Sequence, residues 1–331
     1  MTFHVPFRLG LTAAALMLAL PALAADKVIK VGINVTEQHY EYKAMEKFKE
    51  HVETQSDGAM RVELFANTLG NDLEILDAIK LGTVQMNLPT PSVLGNLVKD
   101  FRLPDLPFIF PDEETANRVA DSDWAKKLLA ELEPVGYVGL AIGNFGFRHI
   151  SNNVRPIATL EDLDDLKIRV MQNSATLDVF RSIGTNPTPM GFAEVFSGLQ
   201  LGTIDGQENP YTNTYQARFF EVQKYISNSG HAYSWVILVI GKKFYDGLDD
   251  DERRIVDEAA AIWADHMRKS SRETDAAALQ EIVAAGTTYT EITPEERSRI
   301  RQAAFPTVEK YGNEISPEMF RELVEVIESG N

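Results

Sequence analysis

The chain has no cysteine among its 331 residues, which excludes disulfides, a thiolate nucleophile and any cysteine-held zinc. An exported protein could have used disulfides, so stability here must come from the size of the core. Histidine is scarce too, six residues scattered without metal-ligand spacing. The HExxH, G-x-S-x-G, G-x-G-x-x-G and P-loop patterns are all missing. So are internal repeats, low-complexity tracts and any Gly/Ser-rich linker that would make two independent domains. Positive charge is in deficit, with 32 Lys and Arg against 49 Asp and Glu for a net charge of −17. A surface this acidic argues against nucleic acid or an anionic membrane as partner. Beyond the N-terminus the longest uninterrupted apolar run is Trp235 to Ile240, far short of the roughly 18 residues a membrane span needs.

The first 24 residues carry Arg8, an apolar stretch from Leu9 to Leu20 relieved by Gly10 and Thr12, then Pro21 and the small-x-small site Ala22-Leu23-Ala24. This predicts a secretory signal peptide, cleaved before Ala25, and a periplasmic mature protein. The apolar core is too short to be an anchor. The segment contributes one arginine and no acid, so the mature chain carries −18. At roughly 300 residues it can bury a large core, more readily in two lobes than in one.

Lys27 to Ile33 alternates as a strand, and Glu37 to Thr54 places Tyr42, Met45, Phe48 and Val52 at helical spacing. Met60 to Phe65 reads as a strand, Asp72 to Leu81 as a helix stopped by Gly82, and Val84 to Leu88 as a further strand. A second unit starts near Phe147, with a strand from Lys167 to Met171 and helices from Ser174 to Ile183 and Phe192 to Leu201. Ala232 to Ile240 reads as a buried strand. Leu248 to Ala285 contains neither Gly nor Pro and, if helical throughout, would extend roughly 50 Å or more. Strands alternating with helices predict an α/β fold with largely parallel sheet.

Arg169 stands at the end of the run Leu166 to Val170, where a guanidinium could meet a carboxylate through two parallel N–H donors. A salt bridge to a neighbouring acid, such as Asp162 or Asp164, is the ordinary alternative. Asp205-Gly206-Gln207-Glu208-Asn209-Pro210 reads as a turn, in which an asparagine usually caps backbone groups. In the first unit, His39 (with Gln38 and Tyr40), Asn71 and Asp72, and Thr90 to Ser92 follow strand ends, where open α/β sheets bind ligands. Tyr211, Tyr215 and Trp235 offer aromatic faces suited to a sugar-like ring.

The blocks TLEDLDDLKIRV (159–170), GTNPTPMGFAEVFSGLQLGTIDGQENP (184–210) and FFEVQKY (219–225) closely resemble the substrate-binding proteins of tripartite ATP-independent periplasmic (TRAP) transporters. The resemblance implies a two-lobed α/β periplasmic binding fold, a ligand cleft between the lobes and a long helix spanning both. On this reading lobe I covers 25–146, with 235–274 returning to it. Lobe II covers 147–234, with 275–331 packing on it. The resemblance makes Arg169 and Asn209 ligand contacts, Glu208 a support that orients an arginine, Arg148 a second basic contact, Phe192 a ring against the ligand's carbon skeleton, and Gln172 a pocket amide. It also implies partnership with the small and large TRAP membrane subunits, no cofactor and no metal, in a protein expected to be a monomer.

The expected ligand is a small organic acid. A sugar acid such as a hexuronate or aldonate is favoured, then a C4-dicarboxylate, then an amino acid or ectoine. Two rival functions are a ligand-presenting protein for a periplasmic sensor kinase and a secreted carbohydrate-active enzyme. The second suffers from its own evidence, because among 49 acids no pair of carboxylates is specific.

Overall fold

The structure is a computed structural model that describes residues 1–2 and 27–329. The expected signal peptide therefore lies outside the described residues. In chain order the strands and α-helices are β1 (Lys27–Ile33), α1 (Tyr40–Gln55), β2 (Met60–Ala66), α2 (Asp72–Lys80), β3 (Met86–Asn87), α3 (Pro91–Leu94), α4 (Glu113–Ala120), α5 (Asp123–Ala130) and β4 (Tyr137–Asn152). The second half adds β5 (Ile168–Val170), α6 (Ser174–Ser182), β6 (Thr188–Pro189), α7 (Val195–Leu201), β7 (Gly206–Asn209), α8 (Tyr211–Gln216), β8 (Tyr225–Gly241), α9 (Lys242–Asp246), α10 (Asp250–Ala284), β9 (Thr288–Thr290), α11 (Pro294–Ile315) and α12 (Pro317–Glu328).

The strands form one sheet in the order β2-β1-β3-β8-β4-β7-β5-β6, with β9 also beside β8. Two parallel sets, β2-β1-β3 and β7-β5-β6, flank an antiparallel pair made by the long strands β4 and β8. This is the two-lobed α/β binding-protein fold expected from the sequence. The lobe limits drawn at 146/147 and 234/235 fall inside β4 and β8, so both strands run from one half into the other. Their ladder carries register shifts at Gly139/Ala141, Asn144/Gly146 and Arg148/Ile150.

The apolar run 235–240 is continuous because β8 is covered on both faces. Trp235, Ile237 and Val239 enter one hydrophobic cluster with Phe101, Phe110 and Leu128. Val236, Leu238 and Ile240 enter another with Phe48 of α1 and Trp263 of α10. Each fully buried large side chain contributes about 1.5–3 kcal/mol, which is how a chain without cross-links holds together.

Helix α10 starts at a capping box, with Asp249 accepting from the Glu252 N–H and Glu252 accepting from the Asp249 N–H. Its first turns bury Ile255, Val256, Ala259 and Trp263 against the first-half core. Its last turns bury Ala278 and Ile282 against Tyr211 and Ile226. One rigid rod of 35 residues thus packs on both regions.

Two glycines allow close approaches that position the strand ends. A Cβ on Gly32 would stand 2.8 Å from the Ile75 side chain, so its absence lets α2 lie tight on β1. A Cβ on Gly206 would stand 2.2 Å from the Ser151 carbonyl, so only glycine lets β7 pair this closely with β4. The segment from Gly206 to Asn209 is therefore a buried strand and not the turn its composition suggests. Pairing with β4 on one side and β5 on the other supplies the hydrogen bonds that a turn would have supplied locally.

Candidate functional site

Pairing of β7 with β4 places Arg148, Glu208 and Asn209 together. Arg148 is 3% exposed and donates from Nε to Glu208 Oε2 at 2.5 Å and from Nη2 to Glu208 Oε1 at 3.0 Å. Nη2 also donates to the Glu208 carbonyl at 2.7 Å and to Asn209 Oδ1 at 3.0 Å, and Nη1 donates to Ser234 Oγ at 3.2 Å. Glu208 is shared with His231, whose Nε2 lies 3.1 Å from Oε2, while Ser229 Oγ lies 2.8 Å from His231 Nδ1. With Nε2–H donating to the carboxylate, Nδ1 accepts from the serine hydroxyl. Burial alone would raise the Glu208 carboxyl, but Arg148 and His231 outweigh it and hold it at about 2. Burial lowers His231 despite the carboxylate beside it. Glu208 therefore neutralises and orients Arg148.

Arg169 is equally buried but differently held. From the middle of β5 it donates through Nε and Nη2 to the Met190 carbonyl, at 2.9 and 2.7 Å, which gives the Pro189-Met190 segment a structural task. Among the described residues it forms no ion pair, and its Nη1 has no hydrogen-bond partner. Burial lowers it to about 10, with Glu208 opposing and Arg148 adding to that effect, so it remains a cation at neutral pH. The Nη donors of an oriented guanidinium without an ion-pair partner of its own are suited to a carboxylate. Asn209 accepts from Arg148 and donates from Nδ2 to Gln207 Oε1 at 2.5 Å, keeping one amide proton free. Phe192 is 39% exposed and meets Phe219 edge-on at 5.5 Å, so it is not a core side chain. Gln172 is exposed.

Of the first-half candidates, Asn71 is exposed and caps α2, accepting from the Glu74 N–H at 3.1 Å. His39 caps α1 through Nδ1, which accepts from the Glu41 N–H at 3.1 Å. Burial lowers His39 to about 4, in part offset by the Asn213 side chain. Asp72 opens α2 between the amides of Asn34 and Asn87, and burial raises it to about 6. Thr90 keeps a buried Oγ1 without a hydrogen-bond partner among the described residues.

The three aromatic candidates are placed elsewhere. Tyr211 stacks on His149 at 4.0 Å and packs under α10 with Ile226 and Ile282, and Tyr215 stacks on Phe220 beside them. Trp235 is 1% exposed and packs on Phe110 at 5.2 Å, in the core. Their large apolar surface gains more from these hydrophobic clusters than from a polar cleft. A groove of about 510 Å³ on the outer side of α1, lined by Tyr42, Glu46 and Lys49 among others, shares no residue with the arginine cluster.

The profile of bacterial extracellular solute-binding protein family 7 matches residues 31–314. The chain belongs to this family. It is a TRAP solute-binding protein, and so not an enzyme. It is 36% identical over 312 residues to the C4-dicarboxylate-binding periplasmic protein DctP of Rhodobacter capsulatus, covering 93% of each chain. It is 33% identical over 249 residues to the 2,3-diketo-L-gulonate-binding periplasmic protein YiaO of Escherichia coli, covering 75% of this chain and 76% of that one. The crystal structure of the sugar acid binding protein DctPAm from Advenella mimigardefordensis in complex with galactonate superposes with a TM-score of 0.89 at 34% identity, covering 92% of this chain and 98% of that one.

Several site neighbours in this family member were not among the residues read from sequence. Asp105 is 4% exposed and accepts from the Ser92 hydroxyl, and burial raises it to about 7 while Arg148 lowers and Glu208 raises it. Asn173 caps α6 and donates from Nδ2 to Ser92 Oγ at 3.3 Å, joining the segment after β5 to the segment after β3. The signal for Asp105 was present, a lone acid in the apolar stretch Leu103 to Phe110. Asn173 stood one position beyond Gln172 and carried the sign of a helix cap. Among the described residues no group of three or more His, Asp or Glu side chains is placed to hold a metal, and no helix is long and apolar enough to cross a membrane.

Proposed function

We propose that this chain is a periplasmic receptor, exported by its N-terminal segment, that takes a sugar acid such as an aldonate or hexuronate by its carboxylate and delivers it to TRAP membrane subunits. One observation carries the reading: of the two buried arginines among the described residues, Arg148 is paired with Glu208 while Arg169, fixed by a neutral carbonyl, has no ion-pair partner of its own there. A buried uncompensated cation is costly, and a bound carboxylate removes that cost.

Arg169 and the remaining amide proton of Asn209 receive the carboxylate, Arg148 stands beside it, and Phe192 lies against the carbon skeleton. Asn71 and Gln172, both exposed, meet the ligand only at its edge. The two lobes, 25–146 with 235–274 and 147–234 with 275–331, close over it by bending β4 and β8 near the register shifts. Charge-assisted hydrogen bonds of about 1.5–3 kcal/mol each support micromolar or tighter binding after ordering costs. The closed form is favoured to the extent that the ligand binds it better than the open one. The galactonate complex of the 34%-identical relative supports a sugar acid. The dicarboxylate named for the Rhodobacter relative keeps the C4-dicarboxylate as the second reading.

The test is calorimetry on the mature, ligand-stripped monomer against aldonates, hexuronates, C4-dicarboxylates and amino acids. Binding of one carboxylate class, lost in Arg169→Ala, supports the receptor; silence with every carboxylate overturns it.

A further inference from the structure

The charges of the cleft can be counted. Arg148 and Arg169 are its buried cations, and Glu208 cancels the first. At most one positive charge is left, less where Asp105, raised to about 7, ionises beside Arg148, so the cleft matches no more than one carboxylate. The strand order β2-β1-β3 gathers the C-terminal ends of three parallel strands into the facing wall, the end of such sheets that binds ligands. The stretches that leave those strands, 34–41, 67–72 and 88–93, contain no lysine or arginine. His39, within them, is held neutral with its pKa near 4.

That wall carries acids instead. Glu41 is 2% exposed, lies in the first turn of α1 on the same buried face as Met45 and Phe48, and has neither an ion pair nor a hydrogen bond to its carboxyl group among the described residues. Asp72 opens α2, with Asn87 Nδ2 donating to its backbone carbonyl at 3.3 Å and the amides of Asn34 and Asn87 beside its carboxyl group. Close packing of α2 on Gly32 fixes this helix end against the end of β1. Burial raises Glu41 well above the carboxylate range, and Asp72 adds to that shift. Thr90 Oγ1, leaving β3, is a further buried polar atom without a partner among the described residues.

We infer that Glu41 and Asp72 are the specificity-determining pair of the cleft: they hydrogen-bond ligand hydroxyls and reject a second carboxylate, so the receptor prefers a polyhydroxylated monocarboxylate to a dicarboxylate. The inference rests on the receptor reading above. Glu41, raised well above the carboxylate range, keeps its proton and both donates and accepts as a hydroxyl does, while Asp72, raised only to about 6, accepts from a ligand hydroxyl at neutral pH. A second carboxylate in the same place finds two acidic groups and no cation, and its desolvation is not repaid. The selectivity runs opposite to that named for the Rhodobacter relative.

The experiment is calorimetry on the ligand-stripped mature chain with galactonate, galacturonate, glucuronate and erythronate against succinate, fumarate and malate. At least one hydroxylated monocarboxylate is expected to bind about a hundredfold more tightly than any of the dicarboxylates. Glu41→Leu and Asp72→Ala are each expected to weaken that ligand about tenfold or more, whereas Glu41→Gln, which keeps a donor and an acceptor, stays within about threefold. Thermal unfolding without ligand establishes that each variant is folded, and Asp72→Ala decides alone if Glu41→Leu is not. A dicarboxylate bound as tightly as the best sugar acid, or unchanged sugar-acid affinity in the folded variants, overturns the role of the pair and leaves the receptor standing. Failure of every carboxylate to bind overturns both.

Discussion

Arg148 and Glu208 face each other through two parallel contacts, Nε to Oε2 at 2.5 Å and Nη2 to Oε1 at 3.0 Å, with side chains 3% and 2% exposed. A pair this dry is strongly coupled to the fold, because loss of either partner strands a charge away from water. It also divides the labour of the two arginines. Arg148 is held within the fold by this pair, and on the proposed function Arg169 is the one that offers its charge to a ligand.

Arg169→Ala is accordingly expected to weaken carboxylate binding by about 3–5 kcal/mol while the protein stays folded. Arg169→Lys should also bind less tightly, since an ammonium cannot reproduce the flat pair of donors. Calorimetry beside thermal unfolding checks both, and native affinity in folded Arg169→Ala would remove this residue from the site.

Glu208→Gln should act on stability first. Arg148 loses its counter-charge in a buried setting, and the unfolding free energy is expected to drop by about 3–5 kcal/mol. Pairing Glu208→Gln with Arg148→Met should restore part of the loss, read as a higher denaturant midpoint than the single variant. The sign with pH follows from a carboxyl held at about 2 against its ordinary 4.5. Its contribution is complete above the ordinary value and disappears as pH falls toward 2, so Glu208→Gln should lose less stability than the native protein across that acid window.

Asp105 predicts the opposite slope. Its carboxyl is raised to about 7 from an ordinary 3.8, so the folded state retains a proton that the unfolded chain releases. Stability from this group is complete below 3.8 and is lost as pH rises through 7. Asp105→Asn cannot ionise and keeps an acceptor for Ser92, so its melting temperature should gain on the native protein between pH 4 and 8. A constant difference across that range would show that Asp105 does not titrate there.

Gly206→Ala tests the strand that sequence composition disguised. The new methyl group meets the Ser151 carbonyl at 2.2 Å, a backbone atom that cannot swing aside. Displacement of β7 should cost about 1–3 kcal/mol or more in stability and carry Glu208 and Asn209 out of place, so that affinity falls with it. Full affinity at native stability would show that the ladder relaxes without moving either residue.

How much of this was legible in the sequence depended on whether the signal was local. Strand β1 was read with its observed limits, and α10 within two residues of them, because alternation and an unbroken helical face are properties of a single segment. Strand β7 was not, since Gly206 and Pro210 are turn residues and only partners on both sides make four residues a strand. The helix expected from Glu37 begins at Tyr40 because His39 turns the chain into it as a cap. Arg169 and Glu208 were reached through their family-like surroundings, and the geometry adds that Met190 and Arg148 are their respective partners. Tyr211, Tyr215 and Trp235 looked like cleft residues because aromatic character says nothing about which neighbour a ring will cover. Glu41 was overlooked, although an acid four residues before Met45 on a buried helical face is itself a signal.

Both halves of the receptor are threaded by β4 and β8 without interruption, and this limits what evolution can do with the gene. A cut at the middle of either strand leaves two fragments, each missing part of its own sheet, so neither half can be lost, exchanged or duplicated as a cassette. New ligand preferences in such a protein have to arise by replacing individual side chains at the strand ends, within an architecture inherited whole.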